Sequence, residues 1–231
     1  MSDRPILFSR PMVQSLLAGT KTQTRRLCKD QPPPGVTIIR KTIRPFGKEP
    51  YHAFERRTKF GNFGGEVPVR ISRGDRLWVR ETWQGLSFGD HQPTKSRQCE
   101  VRYAATDPCA DLDTEARGYP WRPSIFMPRW ASRITLIVND VRVERLQDIS
   151  EADAKAEGLQ TYLDGDADDN GRARIYEYFR GSDDLEWERD PVDAYLSLWD
   201  AINGDGAAHA NPWVVAYTFT VIKQNIDEAG R

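Results

Sequence analysis

Residues 5–26 read PILFSRPMVQSLLAGTKTQTRR, and the change of period inside this stretch sets how the rest of the chain is read. PILF (5–8) is a short apolar run with the character of a strand. PMVQSLLA (11–18) carries Met12, Val13, Leu16 and Leu17 on one helical stripe, which predicts an inward face. Ser9 stands at the N-cap position, Pro11 in the first turn and Gly19 at the stop. GTKTQTRR (19–26) therefore leaves a helix end, and Thr22 and Thr24 favour a return to extended chain. One lysine, two guanidiniums and several hydroxyls in such a place make either a solvated turn or an anion-reading loop. The local sequence admits both.

Further along, residues 31–70 are rich in Pro, Gly and Arg with weak periodicity, and read as a long loop or inserted excursion. GDRLWVRETW (74–83) turns at Gly74-Asp75 and then alternates, with Leu77 and Val79 on one face and Trp78 and Arg80 on the other. Residues 133–145 form a long strand or a bent pair. DISEADAKAEGL (148–159) is a helix with Ser150 as N-cap, Asp153 three residues later and Gly158 as stop. Residues 160–189 are acidic and read as a second insertion. DPVDAYLSLWDAING (190–204) is a helix opened by Asp190-Pro191, with Val192, Tyr195, Leu196, Trp199 and Ile202 facing inward. NPWVVAYTFTVI (211–222) is apolar on both faces, so it is expected to be a central strand. Few strands separated by short helices give an α+β class compatible with a small mixed barrel, a single domain over 1–231 with insertions at 31–70 and 160–189.

The composition is that of an ordinary soluble chain, with 39% hydrophobic and 29% charged residues. No stretch approaches a membrane span and the N-terminus has no long apolar run, so the expected location is the cytoplasm, with no membrane partner. Cys28, Cys99 and Cys109 lack metal-ligand or disulfide spacing, and His52, His91 and His209 are scattered, so no metal site is expected from them. The net charge of −1 conceals a split: residues 1–80 hold 17 Lys and Arg against 6 Asp and Glu, and residues 81–231 hold 16 against 28. Such a split marks either a face for a polyanion or two parts that neutralise one another on folding.

Lys21 and Thr24 are the first candidates for chemistry. A threonine hydroxyl needs a base to take its proton. Lys21 serves as that base if its pKa is lowered, and Arg25 and Arg26 push that way by like-charge repulsion; otherwise it stays protonated and binds phosphate. Glu157 is the second oddity, a carboxylate in the last turn of its helix, where the macrodipole disfavours it. It is either exposed at small cost or paired with a buried cation such as Lys21.

G19-x-K21-x-x-T24-x-R26, followed by G74-D-x-L-x-V, the D-I-S-E-A-D-A-x-A-E-G segment at 148–158 and the terminal W-V-V-x-Y-x-F strand, resembles the ASCH superfamily. WRPSIFMPRWASRI, LWDAING and NPWVV are similar to phage and prophage ASCH-domain proteins. The resemblance implies a PUA-like β-barrel and RNA binding. Thr24 stands where the superfamily has glutamate, which is similar to the bacterial branch that hydrolyses N(4)-acetylcytidine to cytidine and acetate. That likeness implies a catalytic set of Lys21 as general base, Thr24 as nucleophile and Glu157 as its partner, with no metal or organic cofactor. The alternative it leaves open is a non-catalytic groove for a nucleotide or single-stranded RNA. Arg25, Arg26, Trp78, Arg80 and Arg129 are expected to bind substrate or RNA in either case, since arginine beside aromatics stacks bases and holds phosphates. No protein partner is inferable. Finally, residues 166–177 fit a calcium-loop pattern through Asp166, Asp168, Asn170, Gly171 and Glu177, but Arg172 and Arg174 inside it favour a solvated acidic insertion.

Overall fold

The helix expected over 11–18 forms as α1 (Arg10–Ala18), with Val13 and Leu16 fully buried and Pro11 in its first turn. Gly19 ends it in the left-handed conformation at φ 81°, where its N–H reaches the Leu16 carbonyl and a Cβ would be strained. Ser9 holds the N-cap position in extended backbone, yet its side chain makes no cap hydrogen bond.

The computed structural model describes residues 2–29, 31–47, 50–161, 176–178, 186–188 and 190–230 of the 231-residue chain. Before and after α1 run β1 (Asp3–Leu7), β2 (Gln23–Leu27), β3 (Thr37–Ile43), β4 (Tyr51–Arg57), β5 (Phe63–Val67) and β6 (Arg76–Arg80). Then follow β7 (Trp83–Leu86), β8 (Glu100–Tyr103), α2 (Thr114–Arg117), β9 (Thr135–Arg145) and α3 (Glu151–Ala156). The rest comprises β10 (Gln160–Thr161), β11 (Tyr176–Tyr178), β12 (Glu186–Glu188), α4 (Pro191–Asn203) and β13 (Trp213–Ile222). The class is α+β, mostly strands in several sheets with few helices. Among the described residues no sheet closes into a barrel, and no helix is long and apolar enough to cross a membrane.

The chain divides into two compact units. The first combines Met1–Gly19, Gly74–Ile137 and Thr220–Arg231. In it β1 pairs parallel with β6, from Asp3 opposite Arg76 to Leu7 opposite Arg80, and β6 pairs antiparallel with the start of β9. The alternation expected in β6 is present: Leu77 and Val79 are buried while Trp78 and Arg80 are half-buried. A smaller apolar cluster joins Trp83, Met127 and Ala131, with the Trp83 and Trp130 rings edge to face at 5.9 Å.

The second unit combines Thr20–Arg73 and Val138–Phe219. Here β13 pairs antiparallel with β2, Tyr217 lying opposite Thr24, and β9 flanks β13 on the other side. Trp213–Tyr217 are all buried, as a strand apolar on both faces requires. The helices α3 and α4 pack their apolar residues into one core: Ile149, Ala154, Tyr195, Trp199 and Val214 are among its members. Ser150 caps α3 by accepting from the Asp153 N–H, and Asp190 caps α4 from Val192 and Asp193. Ile202 departs from expectation. It is exposed, because the buried part of the α4 stripe ends at Trp199 and the whole last turn, residues 201–203, lies outside the core.

Residues 31–70, expected as a loop or excursion, contain a three-stranded antiparallel sheet in the order β3-β4-β5. Ile38, Phe54 and Val67 are its buried apolar side chains, and Glu55 is buried as well. The expected insertion at 160–189 contributes the short sheet β10-β11-β12. The calcium-loop pattern lies outside the described residues apart from Tyr176 and Glu177.

Candidate functional site

Two residues of the chain entering β2, Lys21 and Thr22, decide the site. The Thr22 N–H donates to the Ala156 carbonyl at 2.8 Å, and Lys21 and Glu157 form an isolated antiparallel bridge. On the opposite edge the Thr22 carbonyl accepts from the Phe219 N–H. The chain entering β2 is therefore clamped between the end of β13 and the C-terminal end of α3. Glu157 is the C-cap residue of that six-residue helix, so its position follows from where α3 stops.

Lys21 is fully buried and Glu157 is 6% exposed. Lys21 Nζ donates to the Glu157 carboxylate Oε2 at 2.9 Å and to the Glu157 main-chain oxygen at 2.7 Å. The other carboxylate oxygen, Oε1, accepts from Arg25 Nη1 at 3.1 Å. Arg25 Nη1 also donates to Gln23 Oε1, while Nη2 reaches Glu144 at 2.7 Å and Asp153 at 3.2 Å. Asp153 accepts in addition from Arg142 at 2.8 Å and from Gln23 at 3.0 Å. The result is a network of three cations (Lys21, Arg25, Arg142) and three carboxylates (Glu144, Asp153, Glu157), with Lys21, Arg25 and Glu157 buried at its centre and the other three half-buried. Its formal charges cancel, and that cancellation is what makes burial tolerable.

Periodicity explains the membership. Lys21, Gln23 and Arg25 are two apart on an extended chain and project to one side. Asp153 and Glu157 are four apart and project from one side of a helix turn. Burial pushes the Lys21 pKa down; the Glu157 carboxylate opposes that shift, and the cations Arg26 and Arg25 reinforce it. Asp153 is desolvated too, yet its bonds from Arg142 and Gln23 hold its pKa below the usual carboxylate value.

The expected pairing of Lys21 with Glu157 is present. Thr24 is placed differently from the proposed set. It is buried opposite Tyr217 on β2, between Gln23 and Arg25, and so lies on the other pleat from theirs. Among the described residues no hydrogen bond joins its hydroxyl to Lys21 or Glu157. Arg26 follows on the pleat of Thr24, its burial pushing its pKa down against the pull of Glu157.

The remaining expected binding residues belong to the first unit and are engaged within it. Arg80 donates to the main-chain oxygens of Met127, at 3.1 Å, and Ile125, and its guanidinium lies 5.2 Å from the Trp78 ring. Arg129 pairs with Asp3 and Asp227, each at 2.6 Å. The charge split between the two parts of the sequence is also met internally: Lys21, Arg25 and Arg40 pair with Glu157, Glu144 and Asp140.

Sequence reasoning missed the extension of the pair into a six-residue ionic network. The signal was available, because Lys21-x-Gln23-x-Arg25, Arg142-x-Glu144 and Asp153-x-x-x-Glu157 each carry like-facing polar side chains at the period of their own element. Compared with protein-family models, with curated proteins and with solved structures, the chain matches none.

Proposed function

We propose that the chain is an amidohydrolase removing an acyl group from a modified cytidine nucleoside such as N(4)-acetylcytidine, on a PUA-like fold of the ASCH kind. One observation carries the proposal: a lysine with its pKa lowered by burial is held by both the main-chain oxygen and the carboxylate of the one glutamate that the resemblance names. A lysine poised in this way is a base that works nearer neutrality than a solvated amine.

In this reading Lys21, as the neutral amine, takes a proton from the attacking nucleophile, and Glu157 orients its nitrogen. With Thr24 on the opposite pleat, the nucleophile is a water. Its oxygen bonds to the acyl carbon, the C–N bond breaks, and the proton held by Lys21 passes to the exocyclic amine, giving cytidine and a carboxylic acid that ionises to solvent. The pair is sealed from solvent, so the acyl group reaches it only when the surrounding wall opens. The alternative of a purely binding groove at the same residues has less support. Arg25 is 3% exposed with both Nη atoms bonded internally, and Arg80 and Arg129 are likewise engaged.

The test is release of cytidine from N(4)-acetylcytidine, followed chromatographically for the wild type and for Lys21→Met. Turnover by the wild type that disappears in a folded Lys21→Met supports the proposal. A folded wild type inert on every acylated cytidine, or a Lys21→Met variant as active as wild type, overturns it.

A further inference from the structure

Glu157 has two carboxylate oxygens and gives one to each of two cations. Oε2 accepts from Lys21 Nζ at 2.9 Å, and Oε1 accepts from Arg25 Nη1 at 3.1 Å. A carboxylate held at one oxygen turns about its side-chain torsions; held at both, it presents Oε2 in one place. The Lys21 nitrogen is therefore aimed by a glutamate that Arg25 already fixes.

Arg25 is fixed in its turn. It is buried, its Nη2 reaches Glu144 at 2.7 Å and Asp153 at 3.2 Å, and its Cζ lies 5.8 Å from the Tyr195 ring of α4. Its Nε is buried too and has no hydrogen-bond partner among the described residues. A guanidinium placed for stability alone would meet that donor as well. This one leaves Nε unmet while both Nη atoms serve Gln23 and three carboxylates, Glu157 among them.

The charges acting on Lys21 come from two elements. Arg25 and Arg26 of β2 work against its ammonium, and Glu157 at the end of α3 works for it. Glu144 and Asp153 stand one step out, each held by Arg25 and Arg142. Tyr195 of α4 and Tyr217 of β13 are phenols whose pKa burial pushes up, so both stay neutral around the site. Removing the Arg25 charge takes a like charge from beside Lys21 and leaves Glu144 and Asp153 to Arg142. Both changes favour the ammonium.

We propose that Arg25 is a positioning residue for Lys21: it fixes the Glu157 carboxylate that aims the lysine nitrogen, and it sets a permanent cation beside the pair. The inference rests on the reading of Lys21 as a base, and its test has a readout besides turnover.

The experiment is an NMR titration of the full chain carrying ¹³C at lysine Cε, with the Lys21 signal identified by its loss in Lys21→Met. Wild type, Arg25→Gln and Arg25→Lys are compared. The Lys21 midpoint should lie at higher pH in Arg25→Gln and return toward wild type in Arg25→Lys, which keeps the charge. On N(4)-acetylcytidine the rise of kcat/KM with pH should move the same way. Arg25→Gln should be roughly tenfold or more slower at neutral pH and recover as the pH rises past its own midpoint. A merely structural loss would lower the rate equally at every pH and leave the midpoint in place. If Arg25→Gln alone does not fold, the charge-balanced Arg25→Gln/Glu144→Gln carries the same expectation, since Arg25 is bonded to Glu157 while Glu144 is held by Arg25 and Arg142. An unmoved Lys21 midpoint in the folded neutral variant overturns the inference, even where the wild type hydrolyses acetylcytidine. A raised midpoint in a protein without turnover upholds Arg25's part and overturns the hydrolase reading instead.

Discussion

Lys21 and Glu157 meet twice, once through their main chains as a β-bridge and once through their side chains, where Nζ lies 2.9 Å from Oε2. The two contacts reinforce one another, because the bridge fixes where both side chains start and the ion pair needs no further chain ordering to form.

The pair predicts unequal costs for its two halves. Glu157→Gln leaves Lys21 and Arg25 facing a neutral amide in a buried site, and should destabilise by about 3–5 kcal/mol. Lys21→Met leaves Glu157 bonded to Arg25 and fills the vacated space with an apolar chain, so it should cost less. Urea denaturation of the two variants decides the matter. Equal losses would mean that Arg25 does not act as the second counter-ion.

Thr24 offers a separate test. Its place on the opposite pleat predicts that Thr24→Val folds and, if the chain hydrolyses acylated cytidine, keeps turnover within about tenfold of wild type. Loss of the hundredfold or more usual for acid–base and nucleophilic groups would return Thr24 to the chemistry.

Ser150 acts on the site from a distance. Its hydroxyl caps α3, and α3 is only six residues long before it delivers Glu157. Ser150→Ala should cost about 1 kcal/mol, a fall in Tm of about 2–4 °C, and should loosen the Lys21–Glu157 contact. Hydrogen exchange at the Thr22 amide, which donates to Ala156, reports that loosening directly; unchanged protection there would show the cap to be local.

In the first unit, Asp3 accepts from Arg76 and Arg129, and the Arg76 hydrogen bond above all lowers its pKa from 3.8 to about 2. The native state therefore holds this carboxylate ionised where the unfolded chain would protonate it. Its stabilisation is present above pH 3.8 and is lost as pH falls toward about 2. Asp3→Asn should flatten the acid limb of the stability curve across that window while leaving the slope above pH 5 alone. A wild-type slope retained in Asp3→Asn would assign the acid sensitivity elsewhere.

The candidate site was legible in the sequence as far as its strongest local signals reached. Gly19 after an apolar stripe located the exit of α1, and Ser150 with Gly158 bounded α3, because caps and stops are set by a few neighbouring residues. The meeting of Lys21 with Glu157 was readable from an oddity, a carboxylate at the wrong end of a helix dipole. The placing of Thr24 was not. A spacing of three suits one face of a helix, but β2 is extended, and there an odd spacing separates faces. The β3-β4-β5 sheet hid behind its composition: Pro, Gly and Arg gave the signal of a loop, while TIIRKTI and YHAFERR carry their pleat in a few buried positions only. Ile202 fits the helical period of α4, but its turn lies beyond the reach of the core.

The separations inside the site carry a consequence for synthesis. Lys21 and Arg25 leave the ribosome well before Glu144, Asp153 and Glu157, and β2 waits longer still for β13, its partner opposite Thr24 being Tyr217. At ordinary translation rates that last interval is about 10–40 s. Throughout it the cations of β2 keep their water, and the strand has no ladder to join. The ionic network therefore closes on a settled strand only once β13 has been made, and a ribosome stalled before residue 213 should display an N-terminal segment that proteases still cut at Lys21 and Arg25.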